Sequence, residues 1–306
     1  MSILRYPDAT WSLPLLFNKN DDLTNNIIQC YKDLDENYNF INFGTFRCKW
    51  SGGRPSRIRN YDVESTVNYL TKVREKGITP AFTFSNYHIS QEDLNDKFCN
   101  EILDAAVKLN CQFIISSDLL HDYIKKLYPE AYCTCSVIKP YFELESPDDR
   151  ETEFYNKMLD KFDRVVARPE YVKYKIREEA HLLNDIERFE ILLNQTCLPD
   201  CPFAAKHYTA IEKAEYTDSE DFDVDFQCPR MEQSIQEKTK HNVMLSVDEL
   251  DFMVNELKIR HLKLQGRDFN KKMVLFLLIS YMFEPVGDAQ FTFCLLYTSP
   301  SPRDTR

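Results

Sequence analysis

The sequence predicts a (β/α)8 barrel of the TIM type. Over most of its 306 residues, eight short runs rich in β-branched and aromatic residues alternate with amphipathic helical stretches. This alternation is typical of βα units arranged around a parallel sheet. Eight units are the number that closes such a barrel, and about 290 residues is a suitable length. A doubly wound open sheet is the alternative fold.

Each predicted strand is short and is followed by a predicted helix. The strands are residues 12–17, 40–46, 79–85, 112–116, 132–136, 164–167, 189–194 and 261–265. The helices are residues 22–37, 62–76, 91–109, 119–127, 151–161, 170–187, 247–257 and 270–282.

The helix predicted over residues 62–76 has the clearest boundaries. Asp62 is a suitable N-cap and Gly77 a suitable C-terminal stop. Apolar residues recur within it at spacings of three and four, which predicts one buried stripe: Val63, Val67, Leu70 and Val73.

We expect residues 1–293 to form a single barrel without a linker. An irregular insertion is predicted at about 202–246, because this interval is too long for a simple βα loop; its acidic run 215–225 should be solvated. Residues 294–304, CLLYTSPSPRD, resemble the translated read-through of a sequencing adapter. We therefore interpret residues 294–306 as a non-native tail on a C-terminally truncated barrel.

Composition and charge exclude several function classes. The net charge of −11 disfavours an extended nucleic-acid or anionic-membrane surface. With six glycines, the chain contains neither G-x-G-x-x-G nor a Walker A motif. No apolar run reaches the roughly 18 to 20 residues of a membrane span. These features predict a soluble, cytoplasmic protein.

Polar residues follow nearly every predicted strand, which is where barrel enzymes carry their chemistry. Among them, Asn86, Arg168 and Arg267 are candidates for binding a substrate or anion. Glu190 and Asp118 are candidates for an acid and a base, although no spacing argument pairs them.

A basic segment follows the second strand. Residues 47–59 contain five cations and no acid, and Gly52 and Gly53 free the backbone N–H groups. We predict that Arg54 and Arg57 bind a phosphate or carboxylate. The alternative is a solvated loop whose cations pair with neighbouring acids.

Ten cysteines occur in a chain without secretory features, one of them in the tail, so metal binding or catalysis is favoured over a disulfide framework. Cys30, Cys99 and Cys111 lie within or beside predicted helices, or at a strand start, and are expected to act as small buried hydrophobes. Cys197 and Cys201 differ, because NQTCLPDCPF places them four residues apart in a Pro-containing turn after a strand. That spacing suits one metal centre, and coincidental packing is the alternative.

Further thiols could complete such a centre. Cys48 and Cys228 are the additional candidates, and Cys135 or His207 could substitute for one of them. Thiolates are ligands for both zinc and iron–sulfur clusters, so the residues alone leave the choice open.

Two segments resemble the collagenase-like (U-type) peptidase family, which includes the ubiquinone-biosynthesis proteins UbiU and UbiV and RNA-hydroxylation proteins. They are INFGTFRCKWSGGR, with its Gly44-x-x-x-Cys48 step, and EILLNQTCLPDC. The resemblance implies a barrel whose four cysteines hold a [4Fe-4S] cluster. Residue by residue it places Cys48 after the second strand and Cys197 after the seventh, with Cys201 and Cys228 as the later pair.

Three functions are consistent with these features. The resemblance implies an iron–sulfur barrel protein for oxygen-independent hydroxylation of a small aromatic molecule or RNA. A second possibility is a barrel hydrolase or lyase that acts on an anionic substrate and has a structural zinc site. A third is a non-enzymatic partner subunit, since some members of the resembled family form heterodimers with a related barrel protein.

Overall fold

The computed structural model describes residues 4–52, 61–144, 150–195, 197, 199–215, 226, 243–267 and 269–284. Eight strands in these residues form one closed, parallel barrel in which β8 pairs with β1. The predicted (β/α)8 fold is therefore confirmed. The strands are β1 (Thr10–Leu13), β2 (Phe40–Gly44), β3 (Thr79–Phe84), β4 (Gln112–Ile115), β5 (Cys133–Cys135), β6 (Arg164–Ala167), β7 (Phe189–Leu192) and β8 (His261–Lys263).

Helices connect consecutive strands around the outside of the barrel. Those in the described residues are α1 (Leu23–Asp33), α2 (Val63–Glu75), α3 (Lys97–Lys108), α4 (Asp118–Leu127), α5 (Pro140–Glu143), α6 (Glu151–Lys161), α7 (Pro169–Tyr174), α8 (Ile176–Glu179), α9 (Ala204–Glu215), α10 (Val247–Asn255) and α11 (Lys271–Met282). None of these helices has the length and apolar character needed to cross a membrane.

Helix α2 begins and ends as the sequence predicts. The Asp62 carboxylate accepts a hydrogen bond from the Ser65 backbone N–H at 2.7 Å, and the Ser65 hydroxyl accepts one from the Asp62 N–H at 3.1 Å. This reciprocal pair satisfies two of the free N–H groups at the start of the helix. Gly77 has a φ of 77°, the left-handed conformation that favours glycine after a helix.

The helix predicted over residues 22–37 ends at Asp33, and two further predicted helices are interrupted. The stretch 91–109 contains a 3-10 turn, and Asp96 then adopts an extended conformation and caps α3 through the Cys99 N–H at 2.8 Å. The stretch 170–187 divides into α7, α8 and 3-10 turns. In the stretch 91–109, the Asp96 cap overrides the continuous apolar period.

The core has an outer layer between strands and helices and a much smaller apolar cluster inside the barrel. Alternate strand residues face these two layers. The inner apolar cluster consists of Ile41, Phe43, Ala81 and Ile114. Much of the remaining interior is polar, and this determines where chemistry can occur.

The predicted insertion contains a helix, α9, that is fixed to the third βα loop. Glu212 is buried, and its carboxylate accepts the Tyr87 N–H at 3.0 Å and lies 2.6 Å from His88 Nδ1. Residues 216–225 and 227–242 of the insertion and the tail 294–306 lie outside the described residues. The single-domain boundaries stay a prediction.

Candidate active site at the carboxyl end of the barrel

The predicted anion-binding side chains have different surroundings in the structure. The Asn86 amide donates to the Lys49 carbonyl at 2.9 Å, which fixes the second βα loop against the third. Arg168 forms a buried, two-point contact with Glu151, with Nε–Oε1 at 2.8 Å and Nη2–Oε2 at 3.2 Å. Both residues therefore have internal partners. Arg54 and Arg57 lie outside the described residues.

Among the predicted anion-binding residues, Arg267 is the one that interacts with the charged residues inside the barrel. It follows β8, and its Nη1 donates to Thr83 Oγ1 near the end of β3 at 3.2 Å. Its charge also lowers the pKa of Lys263, which places the two cations near each other. Arg267 is thus held at the carboxyl end of the barrel.

The predicted metal ligands are only partly brought together. Cys48 is half-buried, and its thiol is hydrogen-bonded with that of Cys99 in α3. This contact, with backbone N–H groups of the same loop, holds the pKa of Cys48 below its usual value despite burial. Cys197 is exposed and Cys201 is half-buried on the loop after β7. Cys228 lies outside the described residues.

The substitute ligands have packing roles. Cys135 is fully buried in the outer core, and burial raises the pKa of its thiol. His207 stacks on Phe226 with ring centroids 5.4 Å apart. In the described part of the chain, no group of three or more His, Cys, Asp or Glu side chains is placed to hold a metal ion.

The thiols expected to be structural behave as predicted at two positions. Cys99 and Cys111 are buried in the outer core, and burial raises the pKa of Cys111 to about 12. Cys30, in α1, is half-buried. Within the described residues, Cys48, Cys197 and Cys201 are not part of a group of three or more side chains placed to hold a metal ion, and the fourth predicted ligand, Cys228, lies outside them. The four-cysteine site stays a prediction.

A column of charged side chains runs along the inside of the barrel. Arg164 and His261 are the first residues of β6 and β8, Glu190 is the second residue of β7, and Lys263 is the last residue of β8. Lys263 Nζ lies 3.7 Å from Glu190 Oε2 and 4.0 Å from the centroid of the Phe43 ring. The column therefore reaches the carboxyl end of the barrel at Lys263.

Each of the four interior residues has one buried polar atom without a hydrogen-bond partner among the described residues. Within the described residues, no partner is found for Lys263 Nζ, Glu190 Oε1, Arg164 Nε or His261 Nδ1. Lys263 is 6% exposed and Glu190 1% exposed. Because an unpaired buried polar group costs about 1 to 3 kcal/mol, each of these atoms calls for a partner such as an ordered water or a ligand.

Burial and nearby charges determine the protonation states of Lys263 and Glu190. Burial lowers the pKa of Lys263, and the charges of Arg164 and Arg267 lower it further, whereas Glu190 opposes them. Burial alone would raise the pKa of Glu190, but the charges of Lys263 and Arg164 outweigh it and hold the pKa below its usual value. The carboxylate is therefore ionised, and the amine loses its proton more readily than an exposed lysine.

Aromatic side chains line the rim above this column. The Tyr87 and Phe142 rings stack with centroids 4.3 Å apart and an angle of 7° between planes, and Tyr141 and Tyr208 lie 5.6 Å apart. Tyr141 Oη donates to Glu170 Oε2 at 2.9 Å, and burial raises the pKa of Glu170. The rim thus supplies flat apolar surfaces and a carboxyl group suited to proton transfer.

The sequence predicts a functional site at the carboxyl end of the barrel, but it does not single out Lys263. It indicates Glu190 as an acid–base candidate and does not indicate that Lys263 lies beside it. The signal for both is a charged residue alternating with apolar ones inside a predicted strand, in FEIL and HLK. In a strand with one face in the core, such a residue must face the barrel interior.

No protein-family model and no curated protein sequence matches the chain. Among solved structures, that of the U32 peptidase Mk0906 is similar, with a TM-score of 0.50 and 12% sequence identity. The match covers 84% of this chain and 92% of that chain. At this identity the similarity extends to the fold alone, so a U32-type barrel fold is supported and the narrower likeness to UbiU and UbiV stays a prediction.

Proposed function

We propose that this chain is a barrel enzyme, a lyase or hydrolase, that binds a small anionic substrate at the carboxyl end of its barrel. The observation that carries the proposal is that Lys263 and Glu190, in the interior column, have buried polar atoms without hydrogen-bond partners in the described residues. Substrate atoms are the natural partners for such groups at a barrel mouth.

The electrostatics of the column favour an anion. The positive charges of Arg164 and Arg267 both act on Lys263, and Glu190 is the acidic group that opposes them there. At an effective dielectric constant of about 20, two unit charges 4 Å apart interact by about 4 kcal/mol. A carboxylate or phosphate near Lys263 and Arg267 would therefore gain substantially from this field.

The rim supports a planar substrate and proton transfer. The stacked rings of Tyr87 and Phe142 offer a flat surface. Glu170, whose pKa is raised by burial, is the group that could donate or accept a proton there.

Calorimetric titration with oxalate and with inorganic phosphate tests this proposal. Replacing Lys263 by Met should weaken binding about tenfold to a hundredfold, since a charge-assisted contact contributes about 1.5 to 3 kcal/mol. The matched control is Lys108→Met, which removes the same charge from an exposed position of α3. Equal affinity in the Lys263→Met and Lys108→Met proteins, or no binding of either anion to the wild type, would contradict the proposal.

A second candidate function is the iron–sulfur protein implied by the family resemblance. It is favoured by one observation, that Cys197 and Cys201 both lie on the β7 loop and that Cys197 is exposed. A cluster there would supply electron transfer. Iron and acid-labile sulfide should then be present after anaerobic purification and be lost in Cys197→Ala and Cys201→Ala but not in Cys111→Ala. Zinc without iron would favour a structural zinc site instead.

A further inference from the structure

We infer that Lys263 is a nucleophile that forms an imine with the carbonyl carbon of a small 2-oxo acid or similar carbonyl-bearing acid. This inference rests on the proposed function and names its substrate class. It is carried by the position of the Lys263 amine: at the end of β8, buried, and without a hydrogen-bond partner in the described residues.

A second buried lysine shows what an ordinary structural role looks like in this barrel. Lys139 is also buried, but its Nζ lies 2.9 Å from Asp118 Oδ2, 2.5 Å from Glu143 Oε1 and 3.3 Å from the Ser116 carbonyl oxygen. Its three N–H donors have three acceptors. Burial alone would lower the pKa of Lys139, but the two carboxylates raise it above its usual value.

The Lys263 amine, unlike that of Lys139, has no acceptor within hydrogen-bond distance in the described residues. One carboxylate, Glu190, lies 3.7 Å from the amine, beyond hydrogen-bond distance, and the Phe43 ring covers another side. Arg164 and Arg267 add positive charge nearby. Burial disfavours the ammonium form of Lys263, Glu190 favours it, and the two arginines disfavour it, so that the pKa of the amine is lowered overall. The uncharged amine is the form that attacks a carbonyl.

The bond changes need only groups of this column and water. The nitrogen lone pair of Lys263 forms a bond to the carbonyl carbon. The two nitrogen protons and the carbonyl oxygen leave as one water molecule, and a carbon–nitrogen double bond replaces the carbon–oxygen double bond. Glu190 is the carboxylate that faces the amine, at 3.7 Å, and would pass the protons from the nitrogen to the departing oxygen through one intervening water molecule. No oxidant or reductant is involved.

The substrate class follows from what surrounds the amine. A carbonyl is the group that an amine attacks, and a carboxylate is the group that Arg267 would bind. The smallest molecules that carry both, on adjacent carbons, are 2-oxo acids. Imine formation withdraws electrons from the neighbouring bonds, so the expected chemistry is bond cleavage or formation next to the former carbonyl carbon, as in a lyase.

Borohydride trapping tests the inference in the full-length wild-type protein. The protein is incubated with glyoxylate or with pyruvate, reduced with sodium borohydride, and digested for peptide mass mapping. The expected result is one reduced adduct per chain on Lys263, with none on Lys139. The adduct should be absent from a Lys263→Arg protein, which keeps the positive charge but cannot form the imine.

The outcomes separate this inference from the proposed function. Oxalate binding without a Lys263 adduct from either probe would overturn the imine and leave the anion site in place. Absence of both would overturn both. Adducts spread equally over Lys139, Lys108 and Lys263 would mean surface chemistry only and would also overturn the inference. Because the mapping uses wild-type protein, it does not depend on whether a variant folds.

Discussion

Acid should destabilise this barrel through one histidine in its interior. Burial lowers the pKa of His261 from 6.5 to about 4, and the nearby charge of Arg164 contributes, although Glu190 opposes both. His261 Nδ1 also has no hydrogen-bond partner in the described residues. The folded protein therefore holds His261 uncharged at pH values at which the unfolded chain would protonate it.

The loss of stability follows from the difference between the pKa of His261 in the unfolded chain, 6.5, and in the folded protein, about 4. Between pH 6.5 and pH about 4 the unfolded state binds one more proton at this site, so the free energy of unfolding falls as the pH falls. At about 1.4 kcal/mol per pH unit, the full loss is about 3.5 kcal/mol. The contribution levels off below the folded-state value, where both states are protonated.

Urea unfolding at about pH 7.5 and about pH 4.5 measures this loss. His261→Gln removes the titrating group, so the variant should lose about 2 to 3 kcal/mol less than the wild type between the two conditions. His181→Gln is the control, because His181 is exposed on the surface. An equal loss in the wild-type and His261→Gln proteins would refute the assignment of this acid sensitivity to His261.

Three further predictions concern the fold and one thiol. Gly44→Ala should destabilise the barrel by about 1 to 3 kcal/mol in thermal unfolding, because the added Cβ would lie 2.1 Å from the Leu16 carbonyl oxygen; an unchanged midpoint would contradict this close approach. Asp96→Ala should cost about 1 kcal/mol through loss of the α3 cap, measured by urea unfolding. Cys48, half-exposed and with a lowered pKa, should react with iodoacetamide faster than buried Cys111; equal rates would contradict its activation.

The sequence was sufficient for the order of the elements. Eight alternating units, the Asp62 cap and the Gly77 stop all occur as predicted, because they depend on local periodicity and backbone preference. The breaks at Asp96 and within 170–187 were missed, since the apolar period continues across them. At Asp96, the hydrogen bond of its side chain to the Cys99 N–H starts a new helix.

The candidate site depended on contacts that sequence spacing does not contain. Glu190 and Lys263 lie 73 positions apart in the chain and meet because β7 and β8 are neighbours in the closed barrel. Arg168 illustrates the converse, because its strand-end position predicted a ligand role but Glu151 on α6 is its partner. Position along a strand thus predicts which end of the barrel a residue occupies, and side-chain packing decides its partner.

A crystal structure of the wild-type protein with oxalate bound would test the central claim most directly, namely that the interior column at the carboxyl end of the barrel is the substrate site. We predict oxalate with one carboxylate within hydrogen-bond distance of Lys263 Nζ and the other facing Arg267. Oxalate bound elsewhere on the protein, with the surroundings of Lys263 and Glu190 filled by protein side chains, would contradict the claim.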